Sequence, residues 1–387
     1  MNRRVPAAVE AARPRLLTPA FLLVALSAFG AFLSIGVLLP TLPRYAEGPL
    51  ATGGIGIGLA VGASSLTALI FQPLAGRVGD RRGRRVLLLG GTGLMTVTIV
   101  TYVVVSTLPV LVGLRLLTGV GEAFFFVGAA TVVNDLAPEE RRGEAFSYFT
   151  LAAYGGLAIG PLLGDVVLAG DRFDAVWLVA AAGSLLAFVI GLTVRETRPV
   201  DEGPPASRGF LYRGALLPGL VLLAGLFSFG AFNAFIALHA IEVGLERTGL
   251  VFATFSVIVL GVRSVGARIP DRLGARRAAQ LALVGLVLGM TIIAAWPSVV
   301  GLFVGTVVFA LGQALAFPAI MAFAVGQAPV AERSAAVGTI SAFVDVALAV
   351  GAITSGAVVG VAGYRGAFLG AALVAATGFV LLLRLRG

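Results

Sequence analysis

Cysteine is absent from these 387 residues, and histidine occurs once, as His239. No disulfide framework, thiolate metal site or histidine cluster can be built from such a set, so no metal is expected. Lysine is absent too, and all 28 basic residues are arginine, which we read as a compositional bias and not as a functional sign. Charge itself is scarce: 12% of residues carry it, against about a quarter in an ordinary soluble domain. With 58% hydrophobic residues and a mean hydropathy of +1.02, the chain holds more apolar surface than a water-soluble core can hide. Lipid must be its solvent. The net charge of +9 does not point to nucleic acid, because the arginines fall between apolar runs and not on one basic face. A GxxxxGK phosphate loop is missing, and so is any set of nucleophile, base and orienting group. Neither a nucleotide-driven pump nor an enzyme is expected, and no cofactor is required.

What remains is a succession of apolar runs. Crossing a hydrocarbon core takes about 20 residues at 1.5 Å rise. Twelve runs meet that length, at roughly 19–42, 54–75, 86–106, 109–132, 144–168, 175–194, 214–239, 248–268, 278–296, 299–324, 335–361 and 364–384. In lipid each must satisfy its own backbone polar groups, so each is read as a helix. The first is too long for a signal-peptide core and lacks a small-residue cleavage site, and is expected to be a retained span.

Arginine placement sets the expected orientation, since basic loops are held in the cytoplasm. With both termini inside, 22 of the 28 arginines face the cytoplasm, four (Arg44, Arg172, Arg247 and Arg365) face outward, and Arg115 and Arg263 lie within spans. A multi-pass protein of an inner or plasma membrane is expected. Residues 1–18 then form a cytosolic N-terminal segment. The polar, proline-bearing stretch 195–213 becomes a cytosolic linker between bundles at 19–194 and 214–387.

The two halves repeat one another. An offset of 191 carries Asp80 to Asp271, Gly83 to Gly274, Arg85 to Arg276, Gly121 to Gly312, Pro138 to Pro329, Arg142 to Arg333 and Gly160 to Gly351. An earlier match, Phe29-Gly30-Ala31-Phe32 with Phe229-Gly230-Ala231-Phe232, has an offset of 200 and implies nine residues gained or lost before the second span. The expected fold is an all-α membrane protein of twelve transmembrane helices in two pseudo-symmetric six-helix bundles.

The charge cluster between the second and third spans carries the most specific pattern. Gly76, Asp80, Arg81, Gly83, Arg84 and Arg85 resemble the G-x-x-x-D-R-x-G-R-R signature of the major facilitator superfamily, and the resemblance extends over essentially the whole chain. It implies a central cavity lined by helices 1, 4, 7 and 10 and alternating access by rocking of the halves. Physically, Asp80 just past the end of the second span can accept from free N–H groups at the start of a neighbouring helix, and Arg84 can pair with Asp135. Those contacts would latch the halves in one state; the alternative is that the charges only enforce orientation. In the fifth span, Gly156, Gly160, Pro161 and Gly164 resemble the G-x8-G-x3-G-P-x2-G-G pattern of the superfamily's exporters, with Ser147 and Asp165 departing from it. Small-residue spacing is equally a general device for packing membrane helices.

Ionisable residues within spans are expensive and therefore functional candidates. Glu122 lies 13 residues beyond Pro109, about 20 Å along the helix, near mid-membrane. Arg115, Gly119 and Glu122 share one face by i, i+4, i+7 spacing, and the counterpart of Glu122 in the second half is the neutral Gln313. Glu122 is the first candidate for the coupling proton, with Arg115 tuning it, and Asp345 is the second. Asp165 reads as a solvated helix-end residue, and Arg263 as a side chain that snorkels to the interface. Phe29, Phe32, Glu122, Phe126, Phe232, Asn233, Gln313 and Phe317 are expected to line an oily cavity with few polar anchors. The expected function is proton-coupled export of hydrophobic or amphipathic small molecules, driven by a proton gradient in a monomer among membrane lipids. Sugar, amino-acid or other metabolite efflux, proton-symport uptake and lipid transport are the alternatives.

Overall fold

The computed structural model of the chain describes residues 16–198, 212–265, 273–329 and 332–384. Most of the N-terminal segment, linker residues 199–211, and Asp271 with Arg272 of the second charge cluster lie outside the described residues. Ten helices are long and apolar enough to cross a membrane. In chain order the helices are α1 (Pro19–Glu47), α2 (Gly54–Arg82), α3 (Arg84–Thr101), α4 (Leu108–Leu136), α5 (Arg142–Val167), α6 (Phe173–Thr193), α7 (Leu216–Glu242), α8 (Gly249–Val265), α9 (Ala275–Ala295) and α10 (Val299–Gln327). The last helix, Arg333–Arg384, breaks at Gly363 (φ 66°, ψ −176°) into α11 (333–362) and α12 (364–384). The described residues therefore form twelve spans, α8 being the short one at 17 residues.

Helix ends follow the local chemistry. The Thr18 hydroxyl accepts from the Phe21 amide at 3.2 Å to start α1, and Ser298 does the same for Gly301 at 3.1 Å to start α10. Several spans outrun their apolar cores. In α2 the helix continues through Gly76 to Arg82, so most of the charge cluster is helical and Asp80 lies inside the last turn and not beyond it. Only Gly83 leaves helical conformation, with φ 99°. Its repeat counterpart Gly274 takes φ 81°, so both halves turn sharply at the same place, where an L side chain would be strained.

The duplication holds at the level of packing. A Cβ on Gly121 would meet the Gly91 carbonyl and the Met95 amide of α3; one on Gly312 would meet the Ala282 carbonyl and the Leu286 amide of α9. Each of these pairs is 191 residues apart. The early offset of 200 is corrected. Gly36 of α1 packs on Gly156, Gly160 and Pro161, and Gly230 of α7 packs on Ala347, Leu348 and Ala352. Gly36 therefore corresponds to Gly230, an offset of 194 that leaves three residues and not nine to be accounted for. Matching Phe-Gly strings had aligned composition; facing partners decide the register.

Within the first bundle α1 packs on α5 and α6, and α4 on α2 and α3. In the second, α7 packs on the 333–384 helix, and α10 on α8 and α9. Two seams join the bundles, α2 with the 333–384 helix and α5 with α8.

Candidate functional site

The seams between the halves are closed at one end only. At the end away from the basic turns, here the far end, α2 and α11 meet backbone to backbone. A Cβ on Gly58 would strike the Ala352 carbonyl and lie 2.8 Å from the Ile353 Cα, and Gly54 and Gly356 face each other as closely. On the other seam Ser256 of α8 donates to the Leu157 carbonyl at 3.3 Å, and Asp165 accepts from the Gly249 amide and, at 3.1 Å, from the Thr248 hydroxyl. Arg44 stands 3.7 Å from the same carboxylate. Asp165 is thus not a solvated end residue: 9% of its side chain is exposed, and it caps the N-terminus of a helix from the other half. A third contact joins α12 to α1, where the Tyr364 hydroxyl donates to Glu47.

At the Arg-rich end the halves part around a cavity of about 890 Å³ between α5, α8 and α10. Leu151, Leu260, Phe317, Pro318 and Met321 give it apolar walls, and Arg263 supplies a positive charge. The charge cluster beside it is folded into the first half. Arg84 pairs with Asp80 at 3.1 Å and, as the sequence suggests, with Asp135 at 3.5 Å. Glu196, just after α6, accepts from the backbone amides of Arg84 and Arg85 at 2.8 and 3.2 Å and so caps α3 in place of the side-chain-less Gly83. Burial opposes its charge, but those amides and the ones of Thr197 and Arg198 hold the Glu196 carboxyl below the usual carboxylate range. Among the described residues, every hydrogen-bond or ion-pair partner of Asp80 and Arg84 belongs to the first half or the segment that follows it.

Between the two ends lies a polar centre. Arg115 donates to the Ala60 and Val61 carbonyls at 3.0 and 3.2 Å and to the Ser64 hydroxyl at 2.7 Å, so α2 holds it firmly. Glu122 stands 3.8 Å from the same guanidinium, at ion-pair but not hydrogen-bond distance. The two therefore form an ion pair without a direct hydrogen bond. Glu122, Arg115 and Ser64 from the first half and Asn233, Gly230 and Leu348 from the second line a cavity of about 180 Å³. Asp345 of α11 accepts from the Gln72 amide of α2 at 3.1 Å, a hydrogen bond across the halves.

This architecture of two like bundles around a polar centre agrees with what the sequence relatives show. The profile of the Major Facilitator Superfamily matches residues 24–288 and 219–387. The chain belongs to the major facilitator superfamily. An MFS-type transporter of Salmonella typhimurium is 30% identical over 362 residues, covering 90% of this chain and 91% of its own length. One of Burkholderia mallei is 28% identical over 361 residues, covering 91% and 88%. Among solved structures, a variant of the nucleoside transporter NupG superposes with a TM-score of 0.81 at 16% identity, over 94% of this chain and 99% of its own. A bacterial homologue of the human lysosomal transporter Spinster, inward-facing and occupied, gives 0.78 at 13%, over 94% and 95%. These two likenesses speak for the fold alone.

In this major facilitator transporter the expected cavity residues divide. Glu122 and Asn233 line the central cavity and Phe317 the larger one, whereas Gln313 lines neither of the two and its buried Oε1 has no hydrogen-bond partner. Phe232 is fully buried in an aromatic cluster with Phe229, Phe252, Phe255 and Phe309. Phe32 packs edge-on to Phe125, Phe126 tilts against Phe149, and Phe29 lies beside Gly155. The helix-5 glycines Gly156, Gly160 and Gly164 pack on α1, while Pro161 and Asp165 meet α8. Gln72, Ser64, Glu196 and the capping role of Asp165 were missed, each because its partner lies on a distant segment.

Proposed function

We propose that the protein is a proton-coupled secondary transporter that exports hydrophobic or amphipathic small molecules by alternating access. The Arg-rich end faces the cytoplasm and both termini lie there, in keeping with 22 arginines on that side. The observation that carries the coupling is the loose pairing of Glu122 with an Arg115 that α2 already anchors. A carboxylate at mid-membrane is expensive when charged, so either Arg115 or a proton must accompany it, and substrate in the adjoining cavity competes for that choice. Exchange of the two is antiport. Asp345, on the opposite half and hydrogen-bonded to Gln72 of α2, is the second proton site. Apolar walls with few anchors suit drug-like molecules better than sugars, whose hydroxyls need many partners. In the opposite state Gly76, Asp80, Arg81, Gly83, Arg84 and Asp135 latch the first half to the second at the cytoplasmic end.

The test is Glu122→Gln in proteoliposomes. Accumulation of substrate driven by a pH gradient should be abolished while downhill exchange remains measurable. Gradient-driven accumulation equal to that of the unchanged protein would move the coupling to Asp345.

A further inference from the structure

We propose that the cavity at the Arg-rich end is a binding site for amphipathic organic anions, with Arg263 as the anchor for the negative group. The inference rests on reading this cleft as part of the transport path and names the substrate class that it admits.

Arg263 lies in the last turn of α8, on the cavity wall. Its guanidinium carbon sits 5.0 Å from the centroid of the Tyr154 ring, which backs the cation without neutralising it. Its Nε is buried with no hydrogen-bond partner, and among the described residues no carboxylate lies within ion-pair distance. Glu144 is the acid that shares the cavity wall, but Arg141 holds both of its oxygens, at 2.8 and 2.9 Å. Three of the wall hydroxyls are also committed. Ser147, Thr150 and Ser264 each donate to the carbonyl one turn back, at 2.9, 2.8 and 2.8 Å. The guanidinium is therefore the charged donor on this wall without a partner, beside the neutral Tyr148 hydroxyl, and its planar fork matches a carboxylate, sulfonate or phosphate. Around it Leu260, Phe317, Pro318 and Met321 offer apolar surface, and a volume of about 890 Å³ suits a drug-sized body. A side chain that merely snorkelled would extend to the interface; this one is held against a ring within the cleft.

Equilibrium binding to purified protein in phosphatidylcholine nanodiscs tests this with three probes that share one tail: decanoate, decanol and decyltrimethylammonium. Decanoate should bind about tenfold or more tightly than decanol, as expected of a hydrogen-bonded charge, and the cationic probe should bind weakest. Arg263→Gln should remove the preference for decanoate while leaving decanol binding unchanged, and Arg263→Lys should restore part of it. Equal binding of the three probes to the unchanged protein, or a decanoate preference that survives Arg263→Gln, would overturn the proposal. Discs containing phosphatidylglycerol identify the source of the anion: displacement of decanoate assigns the site to a lipid headgroup, and undisturbed binding to a free organic anion. Binding is read without transport, so a failure of proton coupling at Glu122 leaves this result intact, and the reverse holds equally.

Discussion

The two ends of the interface between the halves are built from opposite materials. At the far end, Gly54, Gly58 and Gly356 let α2 and α11 touch by their backbones, and one carboxylate, Asp165, caps α8 across the other seam. At the Arg-rich end Asp80, Arg84 and Asp135 pair within the first half, and the halves stand apart around a large cavity. The closed end thus combines backbone contact on one seam with hydrogen bonds from Ser256, Asp165 and Tyr364 on the others. At the open end Asp80, Arg84 and Glu196 are satisfied without help from the second half. In the proposed rocking mechanism these two ends would exchange which of them is shut.

The strongest way to break the asymmetry is to add one methyl group. Gly58→Ala would place a Cβ against the Ala352 carbonyl, and backbone cannot step aside as a side chain can. Overpacking of this kind costs about 1–3 kcal/mol. We expect the far end to open and transport to fall about tenfold to a hundredfold, measured as uptake into proteoliposomes. Gly90→Ala, at a glycine with open space around it, should leave the rate unchanged.

A smaller effect is expected at the other seam. Asp165→Ala removes the acceptor for Gly249 and Thr248, a cap worth about 0.5–2 kcal/mol. A cysteine placed at Leu162 in this otherwise cysteine-free chain should then be labelled several-fold faster by a water-soluble thiol reagent. Asp165→Asn keeps an acceptor and should fall between. Unchanged labelling in both variants would show that the carboxylate does not hold the far end shut.

The smallest effect concerns the open end and its dependence on pH. Because Glu196 has its carboxyl held below the usual range, it stabilises the folded protein above the ordinary carboxylate pKa, and that contribution is lost as pH falls through the depressed folded value. Glu196→Gln should lower the melting temperature at neutral pH by about 1–2 °C and have no effect in acid, where the two proteins converge. The far end should not respond.

Much of this was legible in sequence because it is local or repeated. Apolar runs gave the spans, the offset of 191 gave the turn glycines Gly83 and Gly274, and i, i+7 spacing put Arg115 beside Glu122. Arg84 finds Asp135 for the same reason: both sit at the same ends of neighbouring helices. What resisted reading was docking between halves. Asp165 is separated from Gly249 by 84 residues, and nothing in helical periodicity says that one helix end will meet another. Likewise Gln313 matches Glu122 by the repeat, yet the cavity that Glu122 lines is completed from the second half by Gly230, Asn233 and Leu348 and not by Gln313. The extent of α2 was misjudged because its last two turns are polar; hydropathy marks where lipid ends, not where the helix does.

The central claim is that the two ends close in alternation. Spin labels on cysteines replacing Ser147 and Ser264 span the open cavity, and a second pair replacing Leu162 and Leu250 spans the closed seam. Double electron–electron resonance on each pair, as pH is lowered with and without Glu122→Gln, reads both ends in the same population. The account predicts opposite changes, the first distance shortening as the second lengthens, with Glu122→Gln holding one state at every pH. Distances that change together, or a far-end distance that never changes, would contradict it.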